Sequence, residues 1–165
     1  MKNKFKTERG ITLPELLAVF VILGFLGTII ISFLISGFKS QARIQIESEL
    51  RDEADIIMAE LISDFYTLKN SEIEKEHLPK EGTNDYYIEL TDGSKLGFFE
   101  GKVHLKAGTT VSLTTNQVKL DNTETKIEFA DEQKGLYHIT LTLVRAGEGE
   151  KQKLTTESEI AIIKD

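Results

Sequence analysis

An uncharged, mainly apolar run extends from residue 16 to residue 38, and it is the strongest pattern in the sequence. None of these positions carries a charge. A helix of about 23 residues spans roughly 34 Å, which exceeds the ~30 Å hydrocarbon core of a bilayer. We therefore predict a transmembrane helix and place its bounds at residues 11–38.

A second helical pattern follows directly. Between residues 46 and 65, apolar side chains recur every three or four positions, which places them on one face of a helix. This stripe comprises Ile46, Leu50, Ala54, Ile57, Leu61 and Phe65. Charged residues, Glu53 among them, are expected mostly off the stripe. No proline interrupts residues 15–68, so we predict one helix from about Thr12 to about Leu68, with an amphipathic continuation over 39–68.

From residue 86 the apolar period changes to two, which is typical of half-buried strands. The predicted strands are 86–90, 95–101, 102–107, 110–115, 117–122, 125–131, 136–144 and 158–164. The charged stretch 69–85 is predicted to be the connecting loop. The fold class is therefore α+β: a long N-terminal helix packed on an antiparallel sheet, with a β-rich domain over 86–165. A roll or two small sheets would fit the same pattern.

Charge is distributed unevenly along the chain. Residues 1–10 hold four basic side chains and one acidic one, whereas the whole chain has a net charge of −7. A basic segment before a membrane helix predicts a cytoplasmic N-terminus and an exported C-terminal domain. A cleaved secretory signal is disfavoured. The apolar region of such a signal spans about 7–15 residues and ends at a small-residue cleavage site, whereas the run here is longer and no such site follows it.

The composition narrows the function classes. No cysteine is present, so a disulfide framework is excluded. The acidic exported half does not favour direct nucleic-acid binding. His77 in the predicted loop, and His104 and His138 on the polar sides of strands, lack the spacing of a metal or acid–base site. Residues 121–125, DNTET, are predicted to form an ordinary turn and not a calcium loop. We predict no enzyme activity, no cofactor and no metal.

The motif before the apolar run carries the most specific information. Gly10, Ile11, Thr12, Leu13, Pro14, Glu15 and Leu16 follow the basic segment in order. This motif resembles the N-terminus of the type IV prepilin family and its pseudopilins, although phenylalanine is commoner than isoleucine at the second position. The resemblance implies that a prepilin peptidase removes residues 1–10 as a leader. It also implies cleavage after Gly10 and methylation of the new amine on Ile11.

Glu15 is unusual because a carboxylate in hydrocarbon is costly. The resemblance implies that Glu15 attracts the N-terminal ammonium of a neighbouring subunit and so fixes the axial register of assembly. Thr12, Leu13, Pro14 and Leu16 support this motif. The alternative is that Glu15 only reaches towards the lipid headgroups from a shallow position.

Small residues recur every fourth position in the predicted membrane helix. They are Gly24, Thr28, Ser32, Ser36 and Ser40. Such a row lets another helix approach closely within lipid. A general abundance of glycine and serine in membrane helices would explain it equally well.

The resemblance implies a single-pass pilin or pseudopilin subunit that joins a cell-surface filament. The filament would serve DNA uptake (competence), type II secretion or adhesion, and a minor subunit is preferred. Implied partners are the prepilin peptidase, other pilin subunits, the cytoplasmic membrane and, indirectly, an assembly platform protein and ATPase. The alternative function is an uncleaved, membrane-anchored extracellular binding module.

Overall fold

One long helix dominates the N-terminal part of the chain. The computed structural model describes residues 11–78, 84–111, 113, 117–146 and 151–164. Helix α1 spans Leu13–Tyr66 without interruption, which confirms the predicted single helix to within two residues at its C-terminal end. The chain divides into two compact units between Ile44 and Gln45, six residues beyond the predicted end of the membrane segment.

The first unit contains the apolar part of α1. The large apolar side chains of this segment are exposed, with Phe25 and Phe33 at 73% and 81%. By length and composition, α1 is the one described helix that could cross a membrane. This fits a single-pass membrane protein, because exposed apolar side chains all around a helix require a lipid or protein environment.

The second unit contains the amphipathic end of α1, and the predicted stripe is confirmed there. Leu50, Ala54, Ile57, Leu61 and Phe65 are at most 1% exposed. Glu53, which was expected off the stripe, is also buried, at 6% exposure. At 100° per residue Glu53 lies beside Ile57 at the edge of the stripe, so the packing that covers Ile57 covers it too.

The first sheet is a five-stranded antiparallel meander in the order β1-β2-β3-β4-β5. Its strands are β1 Ile73–His77, β2 Tyr86–Leu90, β3 Lys95–Phe99, β4 Lys102–His104 and β5 Thr110–Val111. Strands β3 and β4 are joined by Glu100 and Gly101, both with positive φ. A two-residue turn of that kind matches the twist of a hairpin.

The second sheet is built around one long strand. Its strands are β6 Val118–Leu120, β7 Lys126–Asp131, β8 Leu136–Ala146 and β9 Lys151–Ala161. Strand β8 pairs antiparallel with β6, β7 and β9. Of the arrangements left open by the sequence, two sheets is the one observed.

The two largest errors in the predicted strand boundaries share one physical reason. Strand β1 lies inside the predicted loop 69–85, and β9 begins at Lys151 and not at residue 158. The three central residues of β1 are exposed, and the half-buried positions of β9 before Ile160 include Gln152, Thr156 and Ser158. A strand whose inner face is short or polar gives no alternating apolar signal.

The core of the second unit lies between the end of α1 and the two sheets. Phe65 contacts Tyr137 edge-to-face, with ring centroids 5.5 Å apart. Ile88, Leu96, Phe98 and Val103 from the first sheet and Ile127, Ile139, Leu141 and Leu143 from the second are at most 3% exposed. Burial of apolar surface contributes about 25 cal/mol per Å² and is the main term that stabilises this unit, since it has no disulfide.

Candidate functional site

The first turn of α1 holds the motif residues that the structure describes. The backbone carbonyl of Thr12 accepts hydrogen bonds from the amides of Glu15 and Leu16, at 3.0 and 3.1 Å. Thr12 is therefore the N-cap residue. Pro14 lies in the first turn, where backbone N–H groups have no acceptor within the helix. Its missing N–H therefore removes no helical hydrogen bond.

The Glu15 carboxylate folds back over this turn. Its Oε2 lies 3.5 Å from both the amide nitrogen and the hydroxyl oxygen of Thr12, and both groups donate to it. A carboxylate here also interacts favourably with the positive end of the helix dipole. The Thr-x-x-Glu spacing is the known signal for such a capping arrangement, and the sequence analysis missed it.

These bonds leave Glu15 able to accept another donor. A separation of 3.5 Å is at the long limit for a hydrogen bond, and an ionised carboxylate has about four lone-pair sites. The side chain is exposed. Ile11 and Leu13 next to it are 75% and 77% exposed. The turn therefore combines an accessible carboxylate with exposed apolar side chains.

The remaining motif residues divide between described and undescribed parts of the chain. Leu16 lies in the helix and is 47% exposed. Gly10 and the leader 1–10 lie outside the described residues, so cleavage after Gly10 and methylation of Ile11 stay predictions.

The predicted row of small residues is exposed along the first unit. Gly24, Thr28, Ser32 and Ser36 all lie in α1 and are exposed. The Thr28 hydroxyl donates to the Gly24 carbonyl at 2.9 Å, so its polar group is satisfied inside the helix. No atom lies within 4 Å of the space that a Cβ would take at Gly24 or Gly27. The row therefore has room for a close neighbour.

A second group of side chains, which the sequence analysis missed, lies on the first sheet. We call it the ring row: His77, Tyr87, Phe99 and His104, one from each of β1 to β4. The ring centroids of neighbouring members are 4.4, 5.0 and 5.7 Å apart. Gly97 separates Tyr87 from His104 in the register, and because it has no side chain the Phe99 ring contacts both. His77 was predicted in a loop and instead ends β1.

A lysine ammonium and a neutral phenol set the electrostatics of the ring row. Lys95 Nζ lies 3.4 Å from the centroid of Phe99 and 4.8 Å from that of Tyr87, so the ammonium is held by cation–π attraction. Burial raises the pKa of the Tyr87 hydroxyl, and the nearby charge of Glu89 raises it further. The raised pKa keeps the Tyr87 hydroxyl neutral at physiological pH.

The described residues contain no group of three or more His, Asp or Glu side chains arranged to hold a metal ion. In the DNTET segment, Asp121 Oδ1 accepts hydrogen bonds from the amide and hydroxyl of Thr123, at 3.1 and 2.5 Å. This is the ordinary turn that the sequence predicted, because the aspartate caps its own loop.

The fold and these sites define an α+β chain with one candidate membrane-spanning helix near its N-terminus. The sequence and the structure match no family model, no curated protein and no solved structure.

Proposed function

We propose that this chain is a type IV pilin-like subunit, made as a prepilin and inserted in the membrane before assembly into a pilus or pseudopilus. The observation that carries the proposal is the accessible Glu15 carboxylate at the N-terminal turn of the candidate membrane helix. Glu15 is also the fifth residue after Gly10, the spacing that the prepilin motif requires.

The proposed role of Glu15 is electrostatic. Removal of residues 1–10 would leave an ammonium on Ile11 of each subunit. Two opposite charges 4 Å apart attract by about 4 kcal/mol at an effective dielectric constant of 20. The two contacts from Thr12 are long, at 3.5 Å, so they do not compete strongly with a cation.

The apolar helix would serve the subunit twice. Before assembly, lipid covers its exposed side chains; after assembly, the helices of neighbouring subunits cover them. The open row from Gly24 to Ser36 supports close helix packing in either setting. The machine would be one for competence, secretion or adhesion.

The Glu15→Ala variant tests this role, and Glu15→Asp is its matched control. We expect Glu15→Ala to insert in the membrane and to be cleaved, because neither step uses the carboxylate. Its incorporation into sheared filaments should fall by tenfold or more. Glu15→Asp keeps the charge and should retain more incorporation than Glu15→Ala. Normal incorporation of Glu15→Ala would refute the register role.

The ring row favours a second candidate function, that of an uncleaved, membrane-anchored binding module. Its half-buried rings and Lys95 could stack against a flat ligand. The two functions differ in their N-termini, since only the pilin-like function requires the leader to be removed.

A further inference from the structure

Strand β9 has one free edge. Its eleven residues pair with β8 along one side, and no other strand within the described ranges pairs with β9. The backbone bonds from Ile162 and Ile163 to other parts of the chain begin only after the strand has ended. A long free edge is a template for pairing with another strand unless it is blocked.

The exposed face of β9 carries a self-complementary pattern of charge. Lys153, Thr155 and Glu157 are exposed on the same face, because they are two residues apart. An antiparallel copy of the strand centred on Thr155 would bring Lys153 opposite Glu157, twice. The sequence continues the pattern, since positions 151 and 159 are a lysine and a glutamate.

From this pattern we propose that the free edge of β9 binds the same edge of a second copy of this chain. The two strands run antiparallel about a two-fold axis at Thr155, and the two second sheets join into one. Backbone hydrogen bonds supply the attraction, and the opposite charges select the register.

Other registers are disfavoured by the same side chains. A parallel, in-register pair would place Lys153 beside Lys153 and Glu157 beside Glu157, which is repulsive. Moving the antiparallel strand by two residues would place Lys153 opposite Thr155 or Glu159, so it would keep only part of the charge pairing. The register centred on Thr155 pairs Lys153 with Glu157 in both directions.

Contacts within the chain leave these side chains available. Lys153 makes an ion pair with Glu124 and lies 3.7 Å from Asp121, but an exposed pair of this kind is weak and a lysine has three donors. Glu157 lies 3.9 Å from His138 and its side chain remains 60% exposed. Both charges can therefore face a second strand.

This pairing is independent of the proposed pilin-like function. It uses neither Glu15 nor the amine on Ile11. A two-fold contact closes on itself and cannot extend a filament. It would join two subunits in the membrane, or subunits of two adjacent filaments.

Single cysteines test the register directly, because the chain contains no other cysteine. The full-length protein is oxidised in detergent micelles. We expect Thr155→Cys to form a disulfide-linked dimer. Lys153→Cys alone should not, because its copies lie four residues apart, about 13 Å, beyond the ~7 Å limit for a disulfide. A mixture of Lys153→Cys and Glu157→Cys proteins should form mixed dimers. Thr91→Cys, in the exposed β2–β3 turn, is the matched control and should stay monomeric.

Charge reversal provides the second test. In the Thr155→Cys background, Lys153→Glu should reduce the dimer fraction at least fivefold, and adding Glu157→Lys should restore it. Glu124→Gln breaks only the contact within the chain and should not reduce dimer formation. The proposal would be overturned by equal cross-linking at positions 153, 155 and 91. It would also be overturned if the Thr155→Cys protein is folded and forms no cross-link. If the loss of the 3.0 Å Thr142–Thr155 hydroxyl contact unfolds Thr155→Cys, the mixed Lys153→Cys and Glu157→Cys experiment decides.

Discussion

At the scale of single residues, Glu15 caps the first turn of its own helix. Its carboxylate folds back to Thr12 and stays exposed. The capping role could have been predicted, because the Thr-x-x-Glu spacing is visible in the sequence. The ring row could not have been predicted, since nothing in the sequence says which half-buried positions of different strands share one face and one row.

Gly97 is the position at which even a small side chain should destabilise the second unit most. It has a φ of +126°, and a Cβ there would lie 2.5 Å from the Tyr86 carbonyl oxygen and 2.8 Å from Ile127 Cδ1. We expect Gly97→Ala to lower the free energy of unfolding of the second unit by about 2–5 kcal/mol, from backbone strain and overpacking together. Urea unfolding followed by circular dichroism measures this change.

Gly108→Ala is the control for that experiment. Gly108 also has a positive φ, +74°, but no atom lies within 4 Å of its Cβ position. The cost of Gly108→Ala should be limited to backbone strain, about 1–2 kcal/mol. An equal effect of the two variants would mean that the close contact at Gly97 is not what requires glycine.

At the scale of elements, the strongly periodic parts of the chain were predictable and the polar parts were not. The helix and its buried stripe follow from an apolar period near 3.6, and β2 was predicted at its observed bounds, Tyr86–Leu90. Strand β1 was missed because its side chains are largely charged and exposed. Its place is set by pairing with β2, a long-range contact that local sequence does not encode.

An ion pair and a hydrogen bond connect the loop after β4 to Glu72 and to the end of α1, and they should make the second unit sensitive to acid. Lys106 Nζ lies 2.6 Å from Glu72, and the backbone amide of Lys106 donates to Asp64 at 2.8 Å. The hydrogen bond from Lys106, with another from the Lys69 amide, lowers the pKa of Glu72 below its ordinary 4.5. Hydrogen bonds from Ser94 and Thr123 likewise lower the pKa values of Asp92 and Asp121.

The sign of the pH dependence follows from these depressed pKa values. The stabilisation is fully present above the ordinary carboxyl pKa and is lost as the pH falls through the folded-state values. We expect the unfolding temperature to fall between about pH 5 and pH 2, with a shallower slope in Glu72→Gln. Glu74→Gln, in the neighbouring strand β1, should keep the original slope. A Glu72→Gln slope as steep as the original would contradict the assignment.

At the scale of the whole molecule, the chain forms two compact units. The first presents an apolar helix of membrane-spanning length, and the second has its own core beneath two sheets. Composition and period predicted a long apolar helix followed by a β-rich part, because both depend on local sequence. They could not predict the free edge of β9, because that edge depends on which strands pair with β8.

The proposed function depends on one chemical event, the creation of a charged amine at Ile11 that can meet Glu15 of another subunit. The intact mass of the full-length protein, purified from cells that co-express a prepilin peptidase, measures it most directly. We expect a chain that begins at Ile11 and carries a methyl group, while a Gly10→Leu control keeps its leader, because a side chain there obstructs the peptidase cleft. An unmodified chain that still begins at Met1 would contradict the pilin-like function and favour the anchored binding module.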